Sequence, residues 1–207
     1  MVNTKQKIIQ AAAELYNTHG VASVRLQQIA DSAELSIGYL AYHFKNKEAI
    51  TLAVFQKLTD EVRQILNVFR QSSDFLDFDQ QLGKWFSFQQ RYAFYFSDNT
   101  PWPEKKLQRL RTQLFSRLVC QIQKRFDFHC KRGAVQPDTA QRDYRVVAET
   151  IGMTVTLWPL YRGLQGKLAD NEKEYKRAIW SQFLPYFTSR GLAEYNELIQ
   201  PLLAPKE

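Results

Sequence analysis

Catalysis in this chain of 207 residues would need a nucleophile beside a base, a clustered carboxylate pair, a glycine loop for phosphates or a spaced set of metal ligands. The sequence contains none of these. Its two cysteines, Cys120 and Cys130, are too few for a disulfide framework, and with His19, His43 and His129 they show no zinc spacing. No catalytic residue, metal or cofactor is therefore expected. What remains is recognition chemistry. Ser36 and Asn46 each stand where a helix should begin, and a helix N-terminus offers unpaired N–H groups and partial positive charge to an anion such as a phosphate. Lys47 adds a point charge beside the second of these, or is simply a solvated lysine.

The formal net charge of +7 suggests a polyanionic partner without choosing between DNA, RNA and an acidic membrane surface. Its distribution is uneven: residues 1–50 carry five cations against four anions, whereas residues 104–132 carry nine against two. Bulk charge is thus no warrant for assigning the anion-binding role to the N-terminal segment, and the basic stretch reads first as a solvated helix face. No apolar run is long enough to span a bilayer, and the first residues lack the apolar core of a signal peptide, so a cytoplasmic protein with no membrane partner is expected.

The elements that must position these residues are helices, because apolar residues recur at three- and four-residue spacing nearly throughout. An all-α fold of about nine helices is expected. Ile8, Ala12, Leu15 and Tyr16 stripe a first helix over about 4–18, stopped by Gly20. Ser23 is the expected cap of a second helix carrying Leu26, Ile29, Ala30 and Ala33, and Ser36 that of a third carrying Ile37, Leu40 and Tyr42. Glu34 and Leu35 alone separate these two, which is the sequence form of a helix-turn-helix or of an ordinary helical corner. Asn46 caps a long fourth helix. A break at Gln71–Asp74 precedes an aromatic helix over about 77–97, and Thr100–Pro101 or Trp102–Pro103 opens the basic helix. Pro137 and Asp138 should open the next, with a kink at Pro159, and the last helices should flank Gly191, with Pro185 bending the first of them.

The stretch from Lys7 to Lys57 resembles the DNA-binding domain of the TetR/AcrR regulators. The likeness is carried by the first-helix pattern ending in Gly20, Val24-Arg25, Ile29-Ala30, Ser36 with Gly38 and Leu40, and Tyr42-His43-Phe44 with Lys47-Glu48. It implies a helix-turn-helix domain over residues 1–50 and an effector-binding and dimerisation domain over residues 51–207. Two positions depart from the pattern. The turn glycine is Glu34, which carries strain of about 1 kcal/mol if it is left-handed, and the tyrosine common after the third-helix leucine is Ala41, with rings at Tyr39 and Tyr42 instead.

The resemblance, with the chemistry of the side chains, assigns DNA contact to Arg25, Ser36, Ile37, Gly38, Tyr39, Tyr42, His43, Asn46 and Lys47. Sequence readout would fall to Ser36, Ile37, Tyr39 and Ala41, through apolar contact with thymine methyls rather than arginine–guanine pairing, since the third helix has no arginine. Gly38 either admits the groove wall or packs on the first helix. Arg25 meets a phosphate, or pairs with Asp31 or Glu48. His43 and Phe44 also fill space beneath the domain. A recognition helix this short needs two copies on a palindromic operator, and the resemblance puts the homodimer seam in the helices around 146–164 and 175–187. Trp85, Phe88, Tyr92, Phe96, Phe115, Trp158 and Tyr161 are the expected lining of a pocket for a small apolar or aromatic effector, against the alternative that they are core. The expected function is a ligand-responsive repressor. The alternatives are a regulator without effector or an activator and, in another class, a basic helical protein that binds RNA or a membrane surface.

Overall fold

The computed structural model describes residues 3–67, 74–97, 105–139, 143–167 and 171–204. Among them the chain forms α1 (Thr4–His19), α2 (Leu26–Ser32), α3 (Ile37–His43), α4 (Lys47–Asn67), α5 (Phe75–Arg91), α6 (Ala93–Ser97), α7 (Lys105–Lys131), α8 (Tyr144–Leu164), α9 (Glu172–Phe183), α10 (Ser189–Leu198) and α11 (Gln200–Leu203). The fold is all-α, as expected, with one isolated antiparallel bridge, Val135 to Phe187, among the described residues. The expected openings of α7 at Thr100–Pro101 or Trp102–Pro103, and the break at Gln71–Ser73, lie outside the described residues.

Among the described residues eleven helices rather than about nine arise partly because one long apolar pattern is interrupted: α5 ends at Arg91, Tyr92 is a turn, and α6 begins at Ala93. Apolar periodicity runs straight through that break, so it could not be read from the pattern. The opening of α8 is also later than Pro137–Asp138. Residues 134–136 are held in extended pairing, with Gln136 N–H donating to the Tyr186 carbonyl (2.9 Å) and Thr188 N–H to that of Ala134 (3.1 Å), and Asp143 caps the helix instead by accepting from Arg145 N–H (2.8 Å). α8 continues through Pro159 to Leu164. Gly191 lies inside α10 rather than between helices, and a Cβ there would come within 1.9 Å of the Ala134 carbonyl oxygen, so the close approach of residue 134 requires glycine at this position. The turn between α9 and α10 is instead the short 3-10 segment Leu184–Tyr186 containing Pro185.

The chain divides into two compact units, Met1–Arg63 with Phe88–Thr100, and Gln64–Ser87 with Pro101–Glu207. The first unit runs past residue 50 because α4 buries Ile50, Val54, Phe55, Leu58 and Val62 within it, and because Phe94 of α6 sets its ring edge-on to Tyr16 of α1 (5.5 Å) and Phe55 of α4 (6.1 Å). Burial of rings this large, at about 25 cal/mol per Å² of apolar surface, outweighs any single polar contact in holding α6 to α1 and α4.

The second unit mixes apolar packing with buried charge. Arg125, 2% exposed, donates to Asp77 (2.7 Å) and to Gln81 Oε1 (2.9 Å). Lys176 bridges Asp79 (2.7 Å) and Glu172 (2.9 Å), while Trp180 Nε1 donates to Asp79 (3.1 Å). Arg132 binds Glu194 through both terminal nitrogens (2.7 and 2.6 Å). Burial pulls the Arg125 pKa down and Asp77 opposes that pull. Arg125 is therefore a core residue of the basic stretch, whereas Arg109, Arg111, Arg117, Lys124 and Lys131 are exposed.

Candidate nucleic-acid interface

The interface is built from short helices fixed by their own ends. Ser36 caps α3 as expected, its hydroxyl accepting from Tyr39 N–H (3.2 Å), and Asn46 caps α4 by accepting from Ala49 N–H (3.0 Å). The cap of α2 is different. Ser23 is not used; Arg25 occupies the N-cap, and its N–H is taken by the side chain of Gln28 three residues on (2.7 Å). Gln28 thus supplies the reaching-back half of a capping box, a role the sequence signals by its spacing from position 25.

The turn between α2 and α3 is left-handed at Glu34, φ 53°. Leu35 N–H donates to the Ala30 carbonyl (2.9 Å) and Glu34 N–H to that of Asp31 (3.0 Å), the paired bonds by which a helix closes on a left-handed residue. That position favours glycine. Here Glu34 reaches Lys7 of α1 (2.8 Å), whose hydrogen bond holds its carboxyl below the usual range. The pair is exposed, so its contribution to stability is small.

On this frame α3 presents Ile37, Tyr39 and Tyr42 outward, 43%, 48% and 83% exposed, while Leu40 is buried. Tyr39 and Tyr42 both set their rings edge-on to His43 (5.0 and 5.2 Å), so His43 is a half-buried support between the two tyrosines. Gly38 is exposed, and a Cβ added to it would meet nothing within 4 Å. Packing on α1 therefore does not explain this glycine. Its missing side chain leaves room only toward the outside.

Arg25 is exposed, and no ion pair to Asp31 or Glu48 is found among the described residues. Lys47 is half-buried, and its ammonium donates to the Ala22 carbonyl (3.1 Å), which ties the start of α4 to the loop before α2. Burial lowers its pKa, with Glu48 opposing. One of its three donors is committed inside the protein, which leaves two for an outer ligand.

The residues of the expected effector lining are distributed over both units. Phe88, Tyr92 and Phe96 belong to the first unit and fill it: Phe88 packs on Tyr92 (5.1 Å) and Phe96 (5.9 Å), and Tyr92 donates its hydroxyl to Glu61 (2.7 Å). Trp85, Phe115, Trp158 and Tyr161 belong to the second unit. Of these, Trp158 and Tyr161 lie together (5.8 Å) in an open cleft of about 730 Å³ between α8 and α9, with Met153, Leu157, Arg177 and Gln182. Phe115 lies instead against Gly152, where α7 meets α8, and Trp85 is buried. No group of three or more metal-ligating side chains occurs among the described residues.

Comparison with known proteins gives two matches along the chain. Residues 8–54 match the family described as bacterial regulatory proteins, tetR family, and residues 57–195 match the one described as bacterial transcriptional repressor. A probable HTH-type transcriptional regulator of Bacillus subtilis (strain 168), YttP, is 39% identical over 46 residues, 22% of each chain. The HTH-type transcriptional regulator RutR of Escherichia coli (strain K12) is 36% identical over 67 residues, 32% of each chain. The match thus spans a third or less of these relatives. Likeness over the whole chain is seen in folds. A TetR-family regulator from Marinobacter aquaeolei VT8 superposes with a TM-score of 0.74 over 98% of both chains at 23% identity. A SmeT–triclosan complex superposes with a TM-score of 0.66 over 90% of this chain and 92% of that one, at 17% identity.

Proposed function

This chain belongs to the TetR family of bacterial regulatory proteins, and from that premise we propose that it is a cytoplasmic, dimeric repressor that releases a palindromic operator when a small apolar or aromatic effector binds its second unit. The observation that carries the DNA reading is the outward face of α3, where three apolar or aromatic side chains stand exposed around a glycine that nothing in the protein fills. Rings that touch only His43 of their own helix leave their outer faces to a partner, and a missing side chain suits close approach to a groove wall. Ser36, Ile37 and Tyr39 read bases, with Tyr42 beside them and His43 as their support. Asn46 at the head of α4, Lys47 and Arg25 position phosphates.

Dimerisation supplies the second reading head. Val146, Met153, Leu157, Tyr161 and Leu164 form an exposed apolar row along α8, at three- and four-residue spacing or its multiples. With the cleft toward α9, that row is the surface a second copy covers. Leu157→Glu yields monomers in sedimentation and weakens operator binding; a stable dimer would contradict the seam. The effector reading rests on Trp85 and on Phe115 where α7 meets α8, side chains outside the lining of the cleft given to the seam, and on the SmeT–triclosan complex, which has the same fold. A ligand acts only by binding the released state more tightly than the DNA-competent one.

The exposed cations of α7 favour a rival, a basic helical protein that binds RNA or anionic lipid. Filter binding of the full chain to duplex DNA, structured RNA and phosphatidylserine vesicles separates the two. Sequence-selective duplex binding is expected, and equal or tighter binding to RNA or vesicles would overturn the proposal.

A further inference from the structure

The first turn of a helix is its weakest, because its N–H groups find no carbonyl within the helix. At the head of α4 the ladder also begins loosely: Ile50 N–H reaches the Asn46 carbonyl at 3.4 Å, beyond the usual range for such a bond. Asn46 answers the N–H of Ala49. Further support comes from α1.

Tyr16 of α1 is fully buried, and its hydroxyl lies 2.9 Å from Thr51 Oγ1. Thr51 has one hydroxyl proton and gives it to the Lys47 carbonyl four residues back (2.9 Å), so between the two hydroxyls Tyr16 donates and Thr51 accepts. The other end of Lys47 returns toward α1. Its ammonium donates to the Ala22 carbonyl (3.1 Å), and Ala22 lies two residues past the left-handed stop of α1, where Gly20 N–H donates to the Tyr16 carbonyl (3.0 Å). These bonds close a circuit that leaves Tyr16 by its hydroxyl, passes through Thr51, Lys47, Ala22 and Gly20, and comes back to Tyr16 by its carbonyl. All of its members lie within the first unit.

The Tyr16 ring is held apart from the circuit, edge-on to Phe94 (5.5 Å), so the circuit has a fixed anchor. What it fixes is a long, flexible side chain. An ammonium on a four-carbon stem gives up rotamer freedom when it grips a phosphate, and a lysine already held in place gives up less. Binding gains by that difference.

We infer that Tyr16 and Thr51 are positioning residues for Lys47: without touching DNA they hold its ammonium at the head of α4, in the place from which it grips a phosphate. The inference rests on the DNA-binding reading above. It gives a role to a hydroxyl at a core position where phenylalanine would supply the same ring.

Tyr16→Phe removes that hydroxyl and keeps the ring, Thr51→Val removes both hydroxyl bonds, and Thr51→Ser keeps them. The first arm of the test needs no DNA. NMR relaxation on the full chain reads the order parameter of the Lys47 ε-methylene, with exposed Lys45 as the reference for a surface lysine. Lys47 should be the more ordered of the two in the wild type and in Thr51→Ser. It should lose at least about half of that excess in Tyr16→Phe, and more in Thr51→Val. An unchanged order parameter would overturn the circuit, whether or not the protein binds DNA.

The second arm is a double-mutant cycle on affinity for the duplex that the wild type selects from a random pool. Tyr16→Phe should weaken binding roughly threefold to fivefold with unchanged sequence preference, and by less than about 1.5-fold in the Lys47→Ala background, where the hydroxyl has no ammonium to position. Equal losses in both backgrounds would make Tyr16 a general support of the fold and overturn the inference. A loosened Lys47 with unaltered affinity would overturn its link to phosphate binding. If the wild type selects no duplex, the DNA-binding reading fails and the phosphate role with it, while the first arm still decides whether the circuit holds Lys47.

Discussion

Both units of this chain close helix ends with nearby side chains, but among the described residues only the second also buries charged pairs that meet across long stretches of sequence. In the first, side chains close helix ends only two or three residues away, as Asn3 does for Lys5, Ser36 for Tyr39, Asn46 for Ala49 and Gln28 for Arg25. In the second, charged groups meet across 48, 62 and 97 residues of sequence, as Arg125 with Asp77, Arg132 with Glu194 and Lys176 with Asp79. A head held by local caps keeps its outer rings uncommitted, and Tyr39 and Tyr42 are left to face a partner. A unit that buries its charges gains a fixed arrangement that no partner touches, at the risk of a large cost if one member is lost.

That contrast can be broken most sharply at Asp77. Asp77→Asn leaves Arg125 buried against a neutral amide, and unfolding by denaturant should show a loss of about 3–5 kcal/mol. Replacing both members, as Asp77→Leu with Arg125→Met, should recover much of it. A small effect of the single change would mean that the buried pair is not what fixes the second unit. The head should respond in binding rather than in stability. Tyr39→Ala should change which duplexes are preferred, at about 1–3 kcal/mol of discrimination, while the melting temperature barely moves. Gly38→Ala should raise stability by about 0.5–1 kcal/mol through helix propensity and yet weaken operator binding, a combination that packing on α1 could not give.

A smaller effect comes from His129, whose ring packs on Phe75 (4.7 Å) and accepts at Nδ1 from Arg132 (2.7 Å). Burial, then Arg132 and Arg125, push its pKa down to about 3 from 6.5. Between those values the unfolded chain binds a proton that the folded chain refuses. Stability is thus fully present above pH 6.5 and falls as the pH drops toward 3, by at most about 1.4 kcal/mol per pH unit. His129→Gln should flatten the slope measured between pH 6 and 4.5, and an unaltered slope would assign the pH dependence to other groups. The smallest change is Glu34→Gly, which relieves the left-handed strain and loses an exposed ion pair. It should raise the melting temperature by about 2 °C, and a fall would show that the Lys7 contact matters more than the backbone.

How much of this was legible in sequence follows from the same contrast. The caps at Ser36 and Asn46, the left-handed turn at Glu34 and the stop at Gly20 are local, so residue type and spacing reveal them. Where a local signal misled, a competing contact explains it. Ser23 lost the cap of α2 to Arg25 and Gln28, and Pro137–Asp138 lost the start of α8 to the pairing of residues 134–136 with 186–188. The break at Tyr92 left no trace, because apolar periodicity continues through it, and neither did the hydrogen bonds of Asn17 to Arg91 and Phe94, because a lone asparagine on a helix surface signals nothing. The aromatic helix showed the same limit. Its rings read as pocket or core, and Phe88 packs on Tyr92 and Phe96 within the first unit.

The central claim, that α3 reads DNA from a head whose outer face is left uncommitted, is tested most directly by selection from a random pool of duplexes, run in parallel on the wild type, Tyr39→Ala and Lys47→Ala. The account predicts one palindromic site for the wild type with half-sites about 34 Å apart, a different preferred sequence for Tyr39→Ala, and the wild-type sequence bound more weakly, with a salt slope lower by about 1, for Lys47→Ala. Recovery of no common sequence by the wild type, or of the same sequence at the same affinity by Tyr39→Ala, would contradict it.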